Sequence, residues 1–245
     1  MTSVNDLRHE PSPRAIARAA AVFLLITIVL GIVAAGYISG KLVVPHDPAA
    51  TAANITGNSG LVLVGFTLFL VEMAANIAVT VLFYQLLKPV QRNVALLSAA
   101  FGLVACTIKT MARTFYIMPL VLLSAPANAP GFSGEQLNAL AVLLLNVNNR
   151  GAAVALPFFG FGTVLQGWLI VRSTFLPRWL GVLTILSGIG WLAFLWQPLG
   201  YRLFTFIALL ALAGCAAMIL WLLVRGVDEP RWLEQVRASA ASVWR

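Results

Sequence analysis

Charge is scarce in this chain. Only 10% of its 245 residues are Asp, Glu, Lys or Arg, whereas 60% are hydrophobic and the mean hydropathy is +0.92. A soluble domain carries about 25% charged residues, so a soluble globular enzyme is excluded, and with it a disordered chain and a coiled coil. Two cysteines in the whole chain exclude a disulfide scaffold. There are also only two histidines, His9 and His46, and both lie outside the apolar runs. Paired histidine ligands for haem or a di-metal centre are therefore missing, and neither a metal site nor a cofactor is expected. No His-Glu-x-x-His and no glycine-rich nucleotide motif occurs.

What the chain does have is apolar length. Six runs stand out: Ala19 to Ile38, Leu61 to Leu87, Val94 to Leu123, Gly151 to Val171, Trp179 to Trp196 and Leu203 to Val224. At ~1.5 Å per residue each is long enough to cross a hydrocarbon core of ~30 Å. None alternates as a barrel strand does. The expected fold is all-α, a polytopic membrane bundle of six transmembrane helices. Residues 1–18 form an N-terminal segment, 19–225 the transmembrane domain and 226–245 a tail.

The net charge of +8 would point to nucleic acid in a soluble protein. In a membrane protein it follows from the excess of Lys and Arg on the cytoplasmic side, and no nucleic-acid partner is expected. With the N-terminus inside, the inner segments hold Arg8, Arg14, Arg18, Lys88, Arg92, Arg172, Arg178, Arg225, Arg231, Arg237 and Arg245. The outer segments hold Lys41, Arg150 and Arg202. Both termini are thus expected in the cytoplasm of a cell that holds the chain in its inner membrane as a multi-pass protein. The first run is expected to be a retained anchor, because it exceeds the ~7–15 residues of a cleaved signal's apolar stretch.

The loops contain helix starts. Asp47 caps a short helix opening at Pro48, expected to lie on the outer surface. Ser133 and Gln136 have capping-box spacing, with Phe132 and Leu137 placed as a staple. The polar run Asn146, Asn148, Asn149, Arg150, Gly151 and then Pro157 is expected to break that helix, leaving a surface or re-entrant segment before the fourth span. Asp228-Glu229-Pro230 starts a tail helix. Trp232, Leu233, Val236, Val243 and Trp244 fall near one face, and Arg231, Glu234, Arg237 and Arg245 on the other. This is the pattern of an amphipathic helix on the inner leaflet.

Several segments carry a resemblance. They are Val43-Val44-Pro45-His46-Asp47 with Ala49-Ala50-Thr51-Ala52-Ala53-Asn54-Ile55, then Leu86-Leu87-Lys88-Pro89-Val90, and Phe158-Phe159-Gly160 leading to Arg172-Ser173 and Phe175-Leu176-Pro177-Arg178-Trp179-Leu180-Gly181. Over Ala15 to Val227 the chain resembles bacterial membrane proteins grouped as domain of unknown function family 4386. The resemblance implies a multi-pass bacterial membrane protein and assigns no activity.

Gly57-Asn58-Ser59-Gly60 matches the Gly-x-Ser-Gly of rhomboid proteases. A serine nucleophile needs a base within hydrogen-bond reach, and no span supplies a histidine; Ser59 is expected to start the second span instead. Cys106 and Cys215, both within spans, read as small buried hydrophobes. Trp179, Trp191, Trp196, Tyr201 and Trp221 read as interface anchors or bundle packing.

The intramembrane charges are the sharp signal. Glu72 lies 15 residues before Leu87 and Lys109 lies 15 after Val94, so both sit ~22 Å from their inner helix ends. The short Lys88 to Asn93 connection makes the two helices antiparallel neighbours, and a Glu72–Lys109 pair is expected. Arg113 is one turn further out on the face of Lys109, and Asn76 one turn from Glu72. Gln85 and Gln166 add weaker polar points, and Asn146, Asn148, Asn149 and Arg150 are expected to cap the region from outside. The candidate site is Glu72, Asn76, Lys109, Arg113, Asn149 and Arg150, with no catalytic residue.

Two readings of the charges stand side by side. In one they line an outward-opening pocket, cationic on balance, for a lipid head group or small anion. In the other they form a structural ion pair, with Arg113 and Arg150 snorkelling to the interface. Function follows the same division. The chain binds or transports a small amphipathic or anionic molecule, or it is a non-catalytic accessory subunit with a membrane protein partner. An intramembrane enzyme is disfavoured by the lack of histidine and paired carboxylates.

Overall fold

The structure is a computed structural model that describes residues 12–124 and 131–242, the last three by their backbone alone. Arg8, His9, Val243, Trp244 and Arg245 lie outside the described residues. The regular elements within them are helices: α1 (Pro13–Gly31), a π segment (Ile32–Ile38), α2 (Ser39–Leu42), α3 (Pro48–Gly57), α4 (Ser59–Leu87), α5 (Arg92–Ser124), α6 (Gly134–Arg172), α7 (Arg178–Leu192), a 3₁₀ turn (Ala193–Leu195), α8 (Gln197–Val224) and α9 (Glu229–Ser242). The π segment joins α1 to α2 as one span, Pro13–Leu42. With α4, α5, α6, α7 and its 3₁₀ turn, and α8, six helices are long and apolar enough to cross a membrane.

The helix starts follow local chemistry. Ser12 Oγ accepts from Ala15 N–H at 3.2 Å ahead of Pro13. Asp47 Oδ1 accepts from Ala50 N–H at 2.9 Å ahead of Pro48. The capping box at Ser133 and Gln136 closes in both directions, at 3.3 and 2.8 Å. Ser59 opens α4, as expected.

The expected break before the fourth span does not occur. α6 is one continuous helix of 39 residues, ~58 Å long and so well beyond a hydrocarbon core of ~30 Å. Its polar run does not break it, because the key side chain already has partners. Asn148 is buried and accepts a hydrogen bond from Arg113 of α5. Gly151 sits against Ala112, so closely that an added Cβ would lie 3.1 Å from the alanine methyl. Pro157 removes one backbone donor, a loss that a packed membrane helix tolerates.

The spans close into a ring: α1 packs on α4, α4 on α5, α5 on α6, α6 on α7, α7 on α8, and α8 returns to α1. Successive spans are antiparallel, so the start of α1, the α4–α5 and α6–α7 turns and α9 share one end, called here the terminal end. α3 covers the other end, packed against α6 and α5. Thr51 Oγ1 ties α3 to both the N–H and the carbonyl of Val44, at 3.0 and 3.2 Å.

The contact of α6 on α7 is glycine on glycine. Gly160 and Gly167 on α6 face Gly188 and Gly181 on α7. A Cβ at Gly167 would sit 2.7 Å from the Gly181 carbonyl oxygen, and one at Gly160 2.9 Å from that of Gly188. Both pairs repeat at seven residues, which keeps them on one face of each helix.

The tail helix α9 docks on the terminal end of the bundle. Gly226, at φ +67, ends α8 and turns the chain back across the bundle. Trp232, 8% exposed, joins the apolar cluster at the terminal end with Leu86, Leu87, Phe175 and Leu222. Its Nε1–H donates to the Leu86 carbonyl at 3.0 Å, one of the last carbonyls of α4, which have no partner within the helix. Gln235 Oε1 accepts from both the N–H and the hydroxyl of Thr174, at 3.2 and 3.1 Å. Of the expected apolar face, Trp232 and Val236 pack on the bundle and Leu233 is exposed, while Val243 and Trp244 lie outside the described residues.

Candidate binding cavity

Glu72 and Lys109 meet as the sequence predicts. Lys109 Nζ donates to Glu72 Oε1 at 2.7 Å, with the side chains 18% and 5% exposed. The neighbouring helix makes room for the carboxylate. Gly31, the last residue of α1 before the π segment, brings its backbone so close that a Cβ there would lie 3.2 Å from Oε1. The other oxygen, Oε2, is buried with no hydrogen-bond partner among the described residues. A buried carboxylate oxygen without a donor is costly, so a donor from outside the chain would be stabilising there.

The remaining candidates separate. Asn76 shares a cavity with the ion pair. Arg113 is buried on the α3 side of the pair, where it donates to Asn148 Oδ1 at 3.1 Å and lies over the Phe69 ring at 3.7 Å. Phe69 is itself held edge-on by Tyr116, with centroids 5.1 Å apart. Asn148 Nδ2–H donates to Asn149 Oδ1 at 3.0 Å. A void of about 30 Å³ beside Asn148, Asn149 and Tyr116 is room for roughly a single water. Arg150 is exposed and turned towards the Tyr201 ring at 5.7 Å, away from the pair.

The main cavity has a volume of about 500 Å³ and takes lining residues from all six spans. It does not extend past the pair towards the α3 end, where an outward-opening pocket is expected from the sequence. Glu72 and Lys109 stand at one end, and the cavity runs towards the terminal end, past Thr80 and Phe83 to Leu87, Ala95 and Leu169. The apolar cluster that includes Trp232 packs around those last three residues. On the α3 side, Arg113 with Asn148 and a second apolar cluster around Phe69 and Tyr116 fill the bundle. The cavity is therefore a mostly apolar chamber with its charges at one end.

Sequence reasoning reaches Gln166 on the wall but misses Ser98, Thr163, Thr184 and Ser187, which also line it. Serine and threonine in spans usually bond their own backbone and give no separate signal in sequence. Thr184 and Ser187 do so, to Leu180 and Leu183. Ser98 is an exception that only the fold reveals, since its hydroxyl donates across to the Gly162 carbonyl at 2.8 Å.

A family model described as Domain of unknown function (DUF4386) matches residues 19–226. The chain belongs to this family. It is a multi-pass membrane protein of the DUF4386 family, and every residue lining its main cavity, from Leu24 to Met218, falls inside the matched segment. α9 with its docked Trp232 lies beyond it. No curated protein and no solved structure matches the chain.

Proposed function

We propose that this DUF4386 protein binds, and moves or presents within the bilayer, a small amphipathic or anionic molecule held in the six-helix cavity. The observation that carries this reading is the unpartnered Oε2 of Glu72, buried beside Lys109 at the polar end of an otherwise apolar chamber. A volume of about 500 Å³ is in the ~300–1,000 Å³ range of sites that bury a small molecule. An apolar body would fill the part towards Leu87 and Leu169, and a polar head would meet the ion pair. Ionisable groups at membrane depth mark such sites by default. We place the protein in the inner membrane with both termini cytoplasmic, on the distribution of Lys and Arg.

Extraction in mild detergent followed by native mass spectrometry and lipid analysis tests the proposal. Wild-type protein should retain a small molecule near one per chain, and the Glu72→Gln, Lys109→Met double variant should lose it. Retention of nothing small, together with a stoichiometric protein partner, would instead support a non-catalytic accessory subunit.

A further inference from the structure

The cavity has a mouth, and the lining identifies it. Among the residues that line the cavity, two are exposed: Ile32, at 57%, and Leu212, at 44%. They come from the first span, at the start of its π segment, and from α8, the two spans that complete the ring. Near the terminal end these spans share an apolar cluster, through Ile16, Ala17 and Ala20 on one side and Met218 and Leu222 on the other. Farther along they part. Ala34, Ile38 and Leu42 pack with Val62, Phe69 and Tyr116 in a cluster without α8 residues. Ile207 of α8 packs instead with Ala153 and Phe194. The two spans thus pack with different neighbours there, and each contributes one of the two exposed residues of the cavity lining. The first span changes character at Ile32, where the regular helix that ends at Gly31 gives way to the π segment. Single π turns inside helices recur at functional sites.

The charges select the occupant. Glu72 is the one acid in the six apolar runs; it pairs with Lys109 in the cavity wall, and Arg113 lies one turn beyond, outside the lining but within reach of its charge. That leaves one positive charge in excess in a low-dielectric setting, where an opposite charge is strongly favoured. Oε2 calls in addition for a hydrogen donor. Resting on the binding function proposed above, we propose that the cavity fills sideways from the bilayer through a slot between Ile32 and Leu212, with a single-chain amphiphile whose monoanionic head also carries a hydroxyl.

Cys215 lines the cavity and offers a native reporter, while Cys106 is buried. In lipid nanodiscs, an N-alkylmaleimide that partitions into the bilayer should label Cys215, and a sulfonated maleimide in the water should not. Cys215→Ala assigns the signal. Tryptophan at the slot, as Ile32→Trp or Leu212→Trp, should slow labelling several-fold; both positions are exposed, so the larger ring leaves the core packing intact. Lysophosphatidylglycerol in the bilayer should protect Cys215, whereas lysophosphatidylcholine should protect it less and soluble glycerol phosphate not at all. Labelling by the sulfonated reagent, or wild-type rates in both tryptophan variants, would overturn sideways entry. Equal protection by the two lysolipids, or protection by glycerol phosphate, would overturn the ligand class. The labelling rate needs no bound ligand, so a failed slot is distinguishable from a protein that retains no molecule in the mass spectrum.

Discussion

Lys109 and Glu72, 37 positions apart in sequence, close a 2.7 Å ion pair between adjacent spans. Removing one partner leaves a buried charge alone, at a cost of about 3–5 kcal/mol. Glu72→Ala and Lys109→Ala should each lower the thermal stability of the protein in detergent by a comparable amount. The neutral pair Glu72→Gln with Lys109→Met should recover much of it. A double loss equal to the sum of the two single losses would mean that the residues do not interact.

Trp232 should hold the tail against the bundle. Trp232→Ala removes a buried indole, a change that typically costs about 3–5 kcal/mol. Trp232→Phe keeps most of the apolar contact but leaves the Leu86 carbonyl without its donor, a loss of about 1–3 kcal/mol. Thermal unfolding of both variants should rank Ala below Phe below wild type. Hydrogen exchange in α9 should rise in the same order, and equal exchange in all three proteins would show that the tail is not docked.

The glycine face between α6 and α7 leaves no space for a side chain. Gly167→Ala and Gly181→Ala should each destabilise by about 1–3 kcal/mol through forced separation of the helices. Gly36→Ala, where an added Cβ meets nothing within 4 Å, is the matched control and should be close to neutral. Similar melting temperatures for all three would rule out the tight contact.

Orientation is expected to follow the basic residues. Cysteine introduced at Asp47 or Gly131 should react with an impermeant reagent from outside the cell, and cysteine at Gln91 or Thr174 should not. Labelling at Thr174 from outside would invert the topology.

The spans could be read from sequence because apolar length is a local property. The ion pair could be read because a short turn between Leu87 and Arg92 fixes the depth of both helices at once. The continuity of α6 could not: Asn148 looks like a break until Arg113, on another helix, is seen to use it. Gly31 and the paired glycines of α6 and α7 carry no signal in isolation, since a missing side chain matters only where another backbone approaches. The direction of the cavity was also hidden. It depends on Arg113 and Phe69 filling the α3 side, and on Arg150 turning away to Tyr201, and neither follows from spacing along a helix.

A density map of the full chain in lipid nanodiscs, at a resolution that shows side chains, would reveal what the six-helix cavity holds. Elongated non-protein density is expected there, with its head within hydrogen-bond distance of Glu72 Oε2 and Lys109 Nζ and its body extending towards Leu87 and Leu169. The Glu72→Gln, Lys109→Met variant should lack that density. An empty or collapsed cavity in the wild-type protein, with the Glu72–Lys109 pair intact, would contradict the proposed binding function and leave the pair with a structural role.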